Sequence, residues 1–234
     1  KFEQLGTSLP TPNEYRTASG APGPKYWQQR ADYDIKCELD EEKLMLSGSE
    51  TITYYNNSPD VLTYLWLQLD ENEHSSEKNA NYQDESSMGK QTVDRMIGEL
   101  EVKKNDNGVN LKKITDALGK PLTYTVNKTM MRIDLPAPLK PGQYFPEDGN
   151  SLFTIAQWYP RLCVYSDFQG WQNHQFTGRG EFALTFGNFK VQMTVPADHM
   201  VGSTGECQNY QQVLTPTQFA RWQKAQNAKD VVEM

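Results

Sequence analysis

The sequence predicts an all-β, mostly antiparallel fold with a short C-terminal helix, on three observations. Apolar and polar residues alternate along Tyr33–Leu39 and return along Leu44–Tyr55, which is the pattern of half-buried strands. The segment Val61–Leu69 is apolar on both faces, which predicts a central strand. Helical periodicity is scarce outside the C-terminal segment. A chain of 234 residues is long enough to bury a substantial core.

The other predicted strands are short and bounded by turn residues. Three of them are Ile97–Val102, Leu122–Val126 and Met130–Leu135. Asn107-Gly108 predicts a hairpin turn between the first two, and Pro136 is expected to end the third. The clearest hairpin signal is Gly187-Asn188, which separates Phe182–Phe186 from the alternating run Phe189–Val195.

One helix has complete start signals. Thr215 is a predicted N-cap, Pro216 stands at the first helical position, and Gln218 completes a capping box. Phe219 and Trp222 are three residues apart, so they share one face of this helix and are expected to pack on the body of the protein.

The chain divides into three predicted parts. Residues 1–25 form an extended N-terminal arm, residues 26–214 the β domain, and residues 215–234 a helix or linker. Within the β domain, Glu71–Lys90 is poor in apolar residues and predicts a long surface loop.

Composition excludes several classes of function. A net charge of −7 argues against a nucleic-acid binder that follows phosphates, and no apolar run is long enough for a transmembrane segment. Three distant cysteines provide no disulfide framework and no CxxC zinc site, and at most one disulfide could form. No secretory signal is recognisable, which fits a cytoplasmic chain or a mature secreted one.

The sequence contains no recognisable catalytic apparatus. His74, His174 and His199 are far apart, and none lies in an HExxH motif. There is no GxSxG elbow, no phosphate-binding P-loop and no dinucleotide fingerprint. We therefore predict neither catalytic residues nor a metal site within this chain.

The most informative segment is Phe153–Phe189, where aromatic residues are mixed with amides and an arginine. Such a composition in a loop suggests recognition of a ligand. It equally suggests a satellite core beneath a long loop. The residues alone leave both interpretations open.

Two blocks resemble a known family. The first, Tyr26–Asn72, begins YWQQRADYDIKCELDEEKLMLSGSETITYY, and the second, Ile155–Glu206, begins IAQWYPRLCVYSDFQGWQNHQFTGRGEFALTFGNFKVQMTVP. Together they resemble the amino-terminal domain of the zinc-dependent aminopeptidase-N family, most closely its large bacterial members common in Bacteroidetes. The resemblance covers well over half of the chain.

This resemblance implies a saddle-shaped, mostly antiparallel β domain that precedes a thermolysin-like catalytic domain. The zinc cofactor, its HExxH motif and the segment that binds the substrate amine belong to that later domain, so no cofactor is expected in this chain. The implied partners are its own catalytic domain and a peptide substrate, with no nucleic acid, and the implied location is periplasmic or secreted.

The resemblance also implies substrate-binding residues. In the family, a glutamine or glutamate from the end of the β domain binds the free α-amine of the peptide. Thr154–Gln157 resembles that stretch, which makes Gln157 the leading candidate, with Trp158, Tyr159 and Arg161 beside it.

Two alternatives remain. One is a stand-alone β-sandwich binding module, for carbohydrate or protein, with Trp158, Trp171 and Tyr165 as stacking platforms. The other is a catalytically inactive scaffold of the same family that acts through protein–protein contacts.

Overall fold

The computed structural model describes residues 12–43, 45–75, 108–150, 158–178, 184–199 and 201–229, and for residues 146–150 it describes the backbone. The predicted strand Ile97–Val102 and the candidate Gln157 lie outside these ranges. The chain divides into two compact units, Lys1–Pro196 and Ala197–Met234. The predicted boundaries at residues 25 and 214 stay predictions.

The first unit contains all the strands of the described part of the chain. They are β1 (Arg30–Asp40), β2 (Met45–Tyr55), β3 (Leu62–Gln68), β4 (Ile114–Asp116), β5 (Thr123–Asn127), β6 (Met130–Leu139), β7 (Tyr144–Asn150), β8 (Arg161–Leu162), β9 (Tyr165–Ser166), β10 (Gly170–Trp171) and β11 (Phe189–Thr194). Every pair except β1 with β11 is antiparallel. The predicted fold class, mostly antiparallel β, is confirmed.

A five-stranded sheet has the order β11-β1-β2-β7-β4. Its longest pair is β1 with β2, in register from Arg30 opposite Tyr55 to Asp40 opposite Met45. Alternate side chains of β1 are buried, as the period of two predicted, and the polar turn between the two strands is fixed by an Asp40 carboxylate that accepts the amide of Lys43.

A four-stranded sheet has the order β5-β6-β3-β8. The strand β3 lies between two partners, and Leu65 and Leu67 are each only 1% exposed, so the predicted central strand is confirmed. Residues of both sheets form one hydrophobic core, with Tyr33, Ile52 and Tyr54 from the first.

Pro136 does not end β6. The strand continues through Pro138 to Leu139, which lies opposite Leu62. Regular pairing with β3 and β5 stops at Asp134, and a register shift separates Tyr64 from Leu62. The prolines therefore stand in an irregular stretch, where their missing N–H groups interrupt no regular ladder.

The predicted hairpin at Gly187-Asn188 is wrong for the described residues 184–194. Phe186 forms a parallel bridge with Arg30, and β11 continues in the same direction beside β1, with Phe189 opposite Tyr33. Gly187 serves close approach rather than a turn, because a Cβ there would overlap the carbonyl oxygen of Ala31.

The predicted hairpin at Asn107-Gly108 lies partly outside the described residues, which begin at Gly108, and it stays a prediction. The strand that follows Gly108 is the short β4, which precedes β5. The tight turn lies between these two strands, where the Asp116 carboxylate accepts the amides of Leu118 and Lys120. This is the local chemistry of an aspartate turn.

The start of the predicted surface loop is partly buried. Asp70–His74 is a 3₁₀ helix in which Asp70, Glu71 and Asn72 are buried. The Asn72 side chain donates to the carbonyl of Lys128 at 2.6 Å and accepts the amide of Val109 at 2.8 Å. These bonds fix the end of β3 to two other chain segments.

The second unit contains two helices, α1 (Tyr210–Val213) and α2 (Pro216–Ala225). The predicted capping box of Thr215 and Gln218 is confirmed, with Pro216 at its start. Trp222 stacks on Tyr210 at 4.3 Å between ring centroids and on Phe219 at 5.7 Å. Within the described residues, no helix has the length and apolarity to cross a membrane.

Candidate functional site

The candidate residues that the structure describes lie where β8 begins. Trp158 and Tyr159 are half-buried, and Arg161 is buried as the first residue of β8, opposite Gln68 of β3. Gln157, outside the described residues, directly precedes them in sequence. We call Trp158, Tyr159 and Arg161 the β8 entry segment.

The ring of Tyr159 is held by other aromatic rings. It packs edge-to-face against Tyr33 at 5.4 Å and against Trp158 at 5.4 Å, with Phe189 at 6.0 Å. Edge-to-face contact aligns the positive ring edge with a negative ring face and fixes orientation. Burial raises the pKa of Tyr159, which keeps its phenol neutral at physiological pH. Trp158 and Tyr159 therefore present a rigid, uncharged aromatic surface.

Arg161 pairs with a buried acid. Its guanidinium forms an ion pair with the Asp70 carboxylate, and the two residues are 6% and 2% exposed. Burial raises the pKa of Asp70, and the nearby Arg161 opposes that rise. This engagement favours a role for Arg161 in positioning the β8 entry segment over direct contact with a substrate.

The ion pair lies among buried polar atoms, and only some of these atoms have a hydrogen-bond partner among the described residues. Asp70 Oδ1, Arg161 Nε and both amide atoms of Gln68 are buried without a hydrogen-bond partner among the described residues. A buried polar atom without a partner costs on the order of 1–3 kcal/mol. The junction of β3 with β8 is therefore polar where an ordinary sheet interior would be apolar.

The sequence did not identify Asp70 or Gln68 as partners of Arg161. The available signal was the polar run Asp70–Asn72 directly after an apolar strand. Side chains at the end of a central strand lie beside the neighbouring strands of the sheet. This run therefore indicated polar contacts within the sheet, which the surface-loop interpretation did not consider.

The aromatic residues beyond β8 form a satellite core. Tyr165 and Trp171 meet edge-to-face at 5.1 Å, and Trp27 stacks on Tyr165 at 5.9 Å. Trp171 also stacks on buried Tyr54 at 6.1 Å. These rings cover one another, which is the second of the two interpretations that the sequence left open, and they provide no coplanar stacking platform.

Arg16 links the N-terminal arm to the turn that follows β9. Arg16 binds Asp167 through two hydrogen bonds, Nε to Oδ2 at 2.7 Å and a terminal nitrogen to Oδ1 at 2.8 Å. Its guanidinium also lies 5.0 Å from the ring centroids of Tyr26 and Phe168. Arg16 lowers the pKa of Asp167, so the pair stays ionised at neutral pH.

The thiols and histidines of the described residues show no arrangement for catalysis. All three cysteines are free, and burial raises the pKa of Cys37 and Cys163, which disfavours a thiolate. His74, His174 and His199 are all exposed and lie in three separate segments. Taken alone, the described part of the first unit contains no group of three metal-ligating side chains.

Comparison with known proteins gives structural neighbours only. No family model matches the chain. No curated protein matches it. The solved structures that it resembles include M1 zinc metallopeptidases.

Three neighbours illustrate the likeness. A two-domain M1 zinc metallopeptidase mutant bound to L-tryptophan has 14% identity and a TM-score of 0.38, over 80% of this chain and 39% of that one. The M1 zinc metallopeptidase of Deinococcus radiodurans has 15% identity and a TM-score of 0.37, over 80% of this chain and 38% of that one. Native leukotriene A4 hydrolase of Saccharomyces cerevisiae has 9% identity and a TM-score of 0.37, over 72% of this chain and 24% of that one.

The chain thus corresponds to two fifths or less of the length of these neighbours. The TM-scores are below 0.5, so membership of the family stays the hypothesis that the two sequence blocks carry.

Proposed function

We propose that this chain is the amino-terminal, non-catalytic β domain of a zinc metallo-aminopeptidase that removes amino-terminal residues from peptides. In this proposal the domain forms one wall of the substrate cleft and docks on the catalytic domain. The observation that carries it is the sequence block Ile155–Glu206, whose QWYPR stretch resembles the end of that domain in the family.

The β8 entry segment supports this role. A cleft wall needs a rigid surface with a few fixed polar groups. The rings of Trp158 and Tyr159 are locked edge-to-face, and Arg161 is anchored to Asp70 immediately after them. Gln157, directly before Trp158 in sequence, is proposed to accept a hydrogen bond from the α-ammonium of the peptide.

An amine anchor explains removal of terminal residues only. A free ammonium exists at a chain end, and a hydrogen bond to a charged donor contributes roughly 1.5–3 kcal/mol. Zinc, held by the proposed catalytic domain, would polarise the scissile carbonyl and activate water. The residues of this chain would bind and orient the peptide. A periplasmic or secreted location belongs to the same proposal.

The test is Gln157→Ala in the full-length enzyme, with Gln169→Ala as the matched control because Gln169 is exposed in the turn after β9. We expect Gln157→Ala to lower kcat/KM for short peptides by about tenfold or more, the loss of one charged hydrogen bond. The control should stay within about twofold. Equal behaviour of both variants would refute the assignment of Gln157.

The parent enzyme is tested separately. Sequencing the reading frame beyond Met234 should find HExxH and a downstream glutamate. A reading frame without that motif would refute the aminopeptidase proposal. It would favour the alternatives of a binding module or an inactive scaffold. The rings of Tyr165 and Trp171 favour neither alternative, because they pack on each other and on the core.

A further inference from the structure

Phe189 is an exposed aromatic ring beside the β8 entry segment. It is the first residue of β11, and it is 49% exposed. Tyr159 of the β8 entry segment packs edge-to-face against it, with 6.0 Å between the ring centroids. The aromatic surface that begins at Trp158 and Tyr159 therefore continues through Phe189 onto the five-stranded sheet.

The Phe189 ring is held in one orientation. It stacks on Tyr33, its partner in β1, with 4.7 Å between centroids and 9° between ring planes. Tyr33 is 5% exposed, and its phenolic oxygen accepts the amide of Leu162. The stack covers one face of the Phe189 ring and leaves the rest of the ring exposed. Phe189 is therefore a fixed ring with free surface, as a binding wall requires.

The exposed surface formed by these rings is uncharged. Among the described residues, the ionised side chains whose charges act on Tyr159 are all buried. They are Arg161, Glu50 and Asp70. Lys190 follows Phe189 in β11, and successive side chains of a strand point to opposite faces. On that other face the Lys190 ammonium pairs with Asp34 at 2.9 Å.

The position of this surface relates it to the first side chain of a bound peptide. In the proposed function, Gln157 binds the α-ammonium of the peptide. The first side chain is attached to the same carbon atom as that ammonium, so it lies beside the residues that follow Gln157 in the wall. An aromatic side chain there gains edge-to-face contact with fixed rings. A charged side chain loses water and finds no exposed partner on the rings.

We propose that Phe189, together with Tyr159, selects the first residue of the peptide, and that the enzyme prefers peptides that begin with an aromatic residue. Phe189 is thus a specificity-determining residue, and the preferred substrate class is peptides with an amino-terminal Phe, Tyr or Trp. This inference rests on the proposed function, because it places the amino end of the peptide beside Gln157.

The test uses the full-length enzyme and a competition between peptides that differ only in their first residue. Phe-Ala-Ala, Leu-Ala-Ala, Lys-Ala-Ala and Glu-Ala-Ala are mixed at equal concentration, and mass spectrometry follows the loss of each. The relative rates give the ratios of kcat/KM. We expect Phe-Ala-Ala to be consumed about fivefold faster than Leu-Ala-Ala, and about twentyfold faster than the two charged peptides.

Two variants of Phe189 separate the ring from its apolar bulk. Phe189→Leu removes the ring, so the ratio of Phe-Ala-Ala to Leu-Ala-Ala should fall to about one. Phe189→Tyr keeps the ring and should keep the ratio. The matched control is Phe168→Leu, because Phe168 is 58% exposed in the turn after β9, where its ring lies beside Arg16. The control should also keep the ratio. Partial unfolding of a variant lowers both rates equally and leaves their ratio unchanged.

The outcomes separate this inference from the proposed function. A full-length protein that removes no residue from any of the peptides refutes the proposed function, and this inference with it. An enzyme that removes first residues without preferring Phe-Ala-Ala overturns this inference alone. A ratio that is unchanged in Phe189→Leu, or that falls equally in Phe168→Leu, also overturns it and leaves the proposed function intact.

Discussion

The backbone amide of Leu162 donates a hydrogen bond to the phenolic oxygen of Tyr33 at 3.0 Å. Tyr33 belongs to β1 of the five-stranded sheet, and Leu162 belongs to β8 of the four-stranded sheet. Both residues are buried, so this bond joins the two sheets inside the core. It also fixes β8, which directly follows the residues proposed to line the substrate cleft.

Replacing Tyr33 with Phe should weaken this junction. The substitution leaves the buried Leu162 amide without its acceptor, which costs about 1–3 kcal/mol in the free energy of unfolding. Urea denaturation measures the change. Tyr124→Phe is the control, because Tyr124 is 39% exposed on β5. A loss no greater than that of the control would show that the Tyr33 hydroxyl adds nothing to the junction.

Alkaline pH should destabilise the first unit. Burial raises the pKa of Tyr33 and Tyr54 well above the ordinary value of 10.0 and that of Tyr165 to about 12. Between the unfolded and folded pKa values, the native state binds more protons than the unfolded state, so stability falls as pH rises. We expect the urea midpoint to be steady up to about pH 9 and to drop above about pH 10. A urea midpoint that stays constant up to pH 11 would show that burial does not raise the pKa of these tyrosines.

The sequence predicted the strands that obey a simple period. Alternation along β1 is visible because every second side chain enters the core, and β3 is visible because two neighbours bury it. The C-terminal helix was predictable from its cap, since that chemistry involves only residues Thr215 to Gln218.

The errors arose where a distant segment decided the structure. Gly187-Asn188 has the composition of a hairpin turn, yet the glycine is required by the carbonyl of Ala31, which is far away in sequence. The Asp70–Arg161 pair likewise joins residues 91 positions apart. Local periodicity carries no information about such partners, so neither could be predicted from one sequence.

Replacing Gly187 with Ala should therefore destabilise the sheet. The added Cβ would meet the backbone of Ala31, which is already paired in β1 and cannot move aside. Overpacking of this kind costs typically about 1–3 kcal/mol. Gly202→Ala is the control, because a Cβ there meets nothing within 4 Å. Equal thermal midpoints for both variants would show that Gly187 does not approach the backbone of Ala31 this closely.

Removing the guanidinium of Arg16 should release the N-terminal arm. Amide exchange of Thr17 and Gly23, whose hydrogen bonds lie within the arm, should accelerate about tenfold or more in Arg16→Ala, as a charged hydrogen bond contributes roughly 1.5–3 kcal/mol. Because Arg16 lowers the pKa of Asp167, the contact should persist above about pH 4 and be lost as pH falls through that depressed pKa. Arg30→Ala, which breaks an exposed pair with Asp32, should leave exchange in the arm unchanged.

The ion pair of Arg161 with Asp70 gives the sharpest test of the junction between β3 and β8. Arg161→Met leaves a buried carboxylate without its cation and should cost about 3–5 kcal/mol at pH 7. The double variant Arg161→Met with Asp70→Leu removes both charges and should recover most of that loss, since a buried pair is often replaceable by apolar residues. Because burial raises the pKa of Asp70, the penalty of Arg161→Met should be smaller at pH 4.5 than at pH 7, since protonation of the carboxyl removes the unpaired charge. Urea denaturation of the three proteins (the unmodified chain, the single variant and the double variant) at both pH values measures these differences. If the single and the double variant are equally stable at pH 7, Arg161 does not stabilise the charged carboxylate of Asp70. Another group would then anchor the β8 entry segment.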